Sequence, residues 1–197
     1  LNLAFLTYNF KYNLRTHKHQ FWPDGIFANI LTNKRKIAGR VFLMRIIGMI
    51  NKNSKIKNKI YILGNLENKS KKWLSKKIKK KFIHKTLPFG KVEFIVKNIK
   101  KFEIKKKSII FLTLPTPKQE LIANFIIKRN PDVKIICIGG SINIASGVEK
   151  ESPKILSLLY LEWLWRLKFD TKRRVYRLLE SAFLLFKLLY LRKIDIF

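Results

Sequence analysis

Cysteine is all but missing from this chain. Cys137, in the apolar run Ile135–Ile138, is the only one, which excludes a disulfide framework and a cysteine-held metal. A buried strand and a reducing compartment fit it. Acidic residues are scarce as well, 12 against 43 basic ones in 197 residues, and no Asp-x-Asp pair occurs. His17, His19 and His84 form no convincing ligand set, so neither a metal-held diphosphate nor a cofactor is expected. No apolar run reaches the roughly 20 residues that cross a bilayer, and the first residues lack the layout of a secretory leader. The chain therefore reads as neither secreted nor membrane-spanning. It opens on Leu1 and passes straight into the strand-like LNLAFLT, so an N-terminal piece is expected to be missing.

What the chain has in abundance is positive charge, a formal +31, and 47% hydrophobic residues. The length buries one sizeable core with a small appendage. The charge predicts attraction to polyanions, either nucleic acid or anionic lipid headgroups. Much of it is compositional, because many of the lysines fall in Ile/Asn/Lys-rich stretches such as Asn51–Lys59. The arginines are more selective: Arg166, Arg173, Arg174 and Arg177 crowd into one short stretch.

Short β-rich runs alternate with Lys-studded helical patterns. Strands are expected at Leu3–Thr7, Ile60–Leu63, Ser108–Leu112 and Lys134–Ile138, with helices near Gly25–Leu31, Asn68–Lys81, Val92–Phe102 and Lys118–Asn130. That order predicts an α/β, Rossmann-like, mostly parallel sheet with helices on both faces. Several strands end in a turn that starts a helix, which places those turns along one edge of the sheet, where ligand crevices form. After Pro153 the pattern becomes helical throughout, with one helix over Ile155–Leu167 and a second over Thr171–Lys193. The second is amphipathic and basic, as helices that lie in a bilayer interface are, although such helices also simply complete cores. The division expected is a core over 1–150 and a helical, membrane-associating appendage over 151–197.

Three constellations can carry chemistry. In LPTPKQE, Leu114–Glu120, Thr116 is placed to cap a helix beginning at Pro117, offering backbone donors and the amide of Gln119 to an anion; a capped helix without a ligand is the competing reading. CIGGS, Cys137–Ser141, ends a strand in a glycine turn of the same kind. Asp24, in Pro23-Asp24-Gly25 among Phe21, Trp22 and Phe27, is a carboxylate whose basicity rises if the aromatics desolvate it, as a general base requires; a turn or helix-capping aspartate is the plain alternative. With the arginine-rich tail EWLWRLKFDTKRR, Glu162–Arg174, these point to a phosphate-bearing donor handled beside a membrane.

In order along the chain, Thr7-Tyr8-Asn9, Pro23-Asp24-Gly25, Pro117–Glu120, Gly139–Ser141, Glu162–Leu167 and the Arg173, Arg174, Arg177 cluster resemble the pattern of the WecG/TagA/CpsF family of bacterial glycosyltransferases. The resemblance implies inverting, metal-independent transfer of an N-acetylhexosamine-type sugar from a UDP donor to an undecaprenyl-diphosphate-linked acceptor. Such transfer builds teichoic acid, capsule, exopolysaccharide or common antigen. By the same likeness Asp24 is the catalytic base, and Thr7, Asn9, Gln119, Glu120, Gly139, Gly140 and Ser141 bind substrate. Arg166, Arg173 and Arg177 fold over the diphosphate at an anionic membrane surface on the cytoplasmic face, and relatives imply self-association. The chain departs from the pattern at Thr113, Pro115, Asn143, Glu151 and Tyr176. Two other readings stay open: a basic nucleic-acid-binding protein, disfavoured by the lack of an RNA or DNA motif, and a truncated, inactive relative.

Overall fold

The computed structural model describes residues 37–53, 58–158 and 161–167, together with helical positions between Val175 and Tyr190. Four strands pair in parallel: β1 (Ile60–Leu63), β2 (Phe82–Lys85), β3 (Ile109–Leu112) and β4 (Lys134–Cys137), in the spatial order β2-β1-β3-β4. Ile60 lies opposite both Phe82 and Ile109, and Ile109 opposite Lys134, so all four strands start level.

Helices cover both faces. They are α1 (Gly39–Lys52), α2 (Asn68–Lys77), α3 (Val92–Ile99), α4 (Lys118–Arg129) and the single turn α5 (Ser141–Ala145). Alternate strand residues point to opposite sides of a sheet, and the sequences IYIL and IIFL are apolar at every position, so the central strands β1 and β3 feed two cores at once. Tyr61, Leu63, Ile110 and Leu112 pack with Ile95 and Ile99 of α3 and Ile122, Ala123 and Ile126 of α4. Ile60, Ile62, Ile109 and Phe111 pack instead with Leu43, Ile47 and Ile50 of α1, Leu74 of α2 and Ile142 of α5. Each such aliphatic or aromatic side chain contributes roughly 1.5–3 kcal/mol through burial. The α/β, Rossmann-like class expected from the sequence is the class observed.

Chain direction fixes where a crevice opens. From β1 the chain crosses to β2 on one side, and from β3 to β4 on the other, so it diverges between the C-terminal ends of β1 and β3. In open α/β sheets that divergence is where ligands settle.

The segment Gly39–Lys150 forms one compact unit, and Glu151 onward belongs to another. In the latter, a single helix over Ile155–Leu167 is not what forms: α6 (Lys154–Leu158) and α7 (Glu162–Leu167) are separate, and Leu161 between them is not helical. The described positions between Val175 and Tyr190 are helical, as the spacing of apolar residues predicts. The expected elements Leu3–Thr7 and Gly25–Leu31 lie outside the described residues.

Candidate functional site

The turn leaving β1 is shaped by a glycine. Gly64 sits at φ +135°, and a Cβ there would run into the Thr113 hydroxyl, so the end of β1 lies close against the end of β3. Thr113 in turn donates its hydroxyl to the Leu63 carbonyl at 3.3 Å, and the His84 Nε2 lies 2.8 Å from the Gly64 carbonyl. The next residue, Asn65, carries a buried Oδ1 with no hydrogen-bond partner among the described residues.

Beyond β3 the chain enters α4 through a cis Thr116–Pro117 peptide bond. Thr116 does not cap the helix, contrary to expectation. Pro117 occupies the cap position without a side-chain hydrogen bond, while the Thr116 hydroxyl donates to Glu120 Oε1 at 3.0 Å. The physical reason is that the Thr116 oxygen, which would have to accept a helix N–H to cap, accepts the Gln119 side-chain amide at 3.2 Å instead, while its proton goes to Glu120.

Gln119 and Glu120 are nine-tenths buried and linked. The Gln119 amide donates to Glu120 Oε1 at 2.8 Å and to Thr116 Oγ1 at 3.2 Å, while its own oxygen accepts the Gly139 N–H at 3.1 Å. That last bond spans from the start of α4 to the turn after β4, and Gly139 meets it in a left-handed conformation at φ +50°. Glu120 Oε2 is buried without a partner among the described residues. Burial pushes this carboxyl above the usual glutamate range, against the hydrogen bonds from Gln119, its own N–H and Thr116, which pull it down. Leaving such an oxygen unpaired costs about 1–3 kcal/mol.

These bonds change what the two turns offer an anion. The sequence predicts spare backbone donors at Pro117–Glu120 and at Gly139–Ser141. In the structure the Gln119 N–H is taken by the Pro115 carbonyl, the Gly139 N–H by Gln119 and the Ser141 N–H by the Ile138 carbonyl. The Lys118 ammonium is likewise engaged, on the Gly90 carbonyl at 2.6 Å. The buried side-chain atoms without a partner among the described residues are both oxygens, Asn65 Oδ1 and Glu120 Oε2.

Cys137, at the end of β4, has its thiol pushed up by burial and then by the nearby Glu120 charge, so it is a poor nucleophile. A separate hollow of about 250 Å3, lined by Phe102, Glu103, Lys106, Phe125 and Arg129, lies at the opposite edge of the sheet, near the C-terminal ends of α3 and α4. Among the described residues no group of three His, Cys, Asp or Glu side chains comes together.

A family model described as glycosyl transferase WecG/TagA/CpsF family matches residues 19–195. The chain belongs to that family. It is thus a glycosyltransferase of the WecG/TagA/CpsF kind, which places it coarsely in cell-surface polysaccharide biosynthesis, with a sugar donor and a lipid-linked acceptor. The matched stretch includes Asp24 and the tail arginines but leaves Thr7 and Asn9 outside.

Of the residues singled out in the sequence, the structure brings Gln119, Glu120 and Gly139 together at the strand edge, with Gly140 and Ser141 adjoining in the same turn. Thr7, Asn9, Asp24, Arg173 and Arg177 lie outside the described residues, as does the side chain of Arg166, whose backbone belongs to α7. Sequence reasoning missed Asn65. The available signal was its place directly after Gly64 in a strand-ending turn, but an asparagine after glycine is ordinary turn chemistry, and only burial distinguishes this one.

Proposed function

We propose that this glycosyltransferase moves an N-acetylhexosamine-type sugar, with inversion and without a metal, from a UDP donor to an undecaprenyl-diphosphate-linked acceptor. Asp24 is the general base that deprotonates the acceptor hydroxyl. Thr7, Asn9, Gln119, Glu120 and the Gly139–Ser141 turn line the donor and acceptor pocket. The observation that carries this reading is the buried Gln119–Glu120–Gly139 network at the sheet edge, inside the stretch that matches the family. It is a rigid, polar and partly unsatisfied wall of the kind that orients a sugar nucleotide.

The departing diphosphate needs positive charge, and several N–H groups of the strand-end turns are already engaged. Arg166, Arg173 and Arg177 of the region 151–197 supply that charge, completing the site when the appendage meets an anionic membrane surface at the cytoplasmic face. Among the described residues no helix is long and apolar enough to cross a membrane. Support for a surface attachment comes from large apolar side chains left in solvent on this region: Tyr176, Leu179, Phe183, Phe186 and Tyr190, spaced alternately by three and four residues and each at least 63% exposed.

The test is a transfer assay with the full chain, a panel of UDP-N-acetylhexosamines and a polyprenyl-diphosphate-linked acceptor in anionic vesicles, following label into lipid. Transfer from at least one donor, unchanged by a chelator, is expected. Label that never enters lipid with any donor, or transfer that stops on chelation, refutes the proposal.

A further inference from the structure

Two buried oxygens without partners among the described residues flank the divergence between β1 and β3. Asn65 Oδ1 belongs to the turn that leaves β1, and Glu120 Oε2 to the first turn of the helix that follows β3. Four neighbouring donors are engaged elsewhere. The Thr116 hydroxyl and the Gln119 amide are held by Glu120 Oε1, the Gly139 N–H by Gln119, and the Thr113 hydroxyl by the Leu63 carbonyl. Among the buried side-chain atoms described at this edge, those without a partner are both acceptors. Such acceptors repel phosphate oxygens and are satisfied only by O–H or N–H groups.

We infer that Asn65, with Glu120, forms a subsite that reads the uncharged, hydroxyl- and N–H-bearing part of the sugar nucleotide, and that Asn65 is a specificity residue. The inference rests on the UDP-sugar reading above and sharpens it: the diphosphate is held away from the divergence point, and the neutral moiety lies at it. That moiety is either the nucleoside or the transferred sugar, which share this chemistry. The burial of Asn65 Oδ1 in the free protein is then a preorganised defect that the ligand repairs, a stability cost retained for binding.

Calorimetric binding of uridine, UDP and a UDP-N-acetylhexosamine to the full chain, with inorganic pyrophosphate as a control, tests this on the wild type, Asn65→Ala and Glu120→Gln. Each variant is expected to weaken its ligand about tenfold or more, equivalent to about 1.4 kcal/mol, with pyrophosphate unaffected. Weakened uridine binding assigns the subsite to the nucleoside. Unchanged uridine and UDP with a weakened UDP-sugar assigns it to the sugar.

Melting temperature of the unliganded proteins supplies a readout that a merely structural role would move the other way. Asn65→Ala removes an unsatisfied buried atom, so its melting point is expected to equal or exceed that of the wild type. Binding by both variants indistinguishable from wild type overturns the inference alone, as does an equal loss for pyrophosphate or a lowered Asn65→Ala melting point. A wild-type chain that binds none of the three uridine compounds overturns the UDP-sugar reading with it.

Discussion

At the scale of single residues, the strand-end edge is set by Gly64 and Glu120. Gly64 holds a backbone conformation open to few other residues, with the Thr113 hydroxyl where a side chain would begin. Gly64→Ala is expected to lower stability by about 1–3 kcal/mol, seen as a reduced denaturation midpoint at unchanged m-value. A midpoint equal to that of the wild type would show that the turn relaxes freely. Glu120 has its pKa raised chiefly by burial, so the folded protein binds that proton more tightly than the unfolded chain. Its contribution to stability is fully present below the ordinary glutamate pKa and is lost as pH rises through the raised one. Stability measured across that window is expected to decline in the wild type, and the part due to this group is expected to vanish in Glu120→Gln. An identical slope in both would place the titration elsewhere. The motif around Glu120 was legible as a motif in the sequence, but its internal bonding was not. A Thr-Pro-Lys-Gln-Glu string fits a capped helix start as well as the cis turn observed, and only the folded geometry decides that the threonine hydroxyl goes to the carboxylate.

At the scale of elements, β1 was readable to the residue, and β3 and β4 to within one residue, because continuous apolar runs mark them, β1 and β3 being fully buried and β4 half-buried beyond Lys134. The edge strand β2 was not. FIHK alternates half-buried with exposed positions between lysines, and such a run has no signal apart from its pairing with β1. Helix α1 was missed for the opposite reason. Its core VFLMRIIGMI is apolar enough to serve as strand or helix, and the spacing of Leu43, Ile47 and Ile50 becomes decisive only once a sheet face is there to receive it. Helix α2 stops at Lys77 rather than Lys81, since Ile78 turns extended and is buried. The exposed apolar residues of the C-terminal helical region make their own prediction. The full chain is expected to co-sediment with anionic vesicles, and replacing Phe183 and Phe186 together with Asp is expected to reduce that binding by tenfold or more while leaving Gly39–Lys150 folded, as judged by an unchanged thermal transition. Retention of binding by the double variant would leave attachment to the lysine surface charge alone.

At the scale of the whole molecule, the fold and family converge on a sugar-transferring enzyme, while the charge balance of +31 by itself fits nucleic acid equally well. What separates these readings is local: the buried oxygens of Asn65 and Glu120, unpartnered among the described residues, suit hydroxyl donors better than a phosphate backbone. The proposed function divides the labour, with neutral parts of the donor at the strand edge and its charged parts answered by arginines of the region 151–197. The remaining requirement is a base, and Asp24 fills it in the proposed chemistry. The most direct measurement is turnover of the full chain and its Asp24→Asn variant on the same lipid-linked acceptor, with donor binding measured beside it. Turnover is expected to fall roughly 100-fold or more with donor affinity retained. Equal turnover in the two proteins would contradict the account.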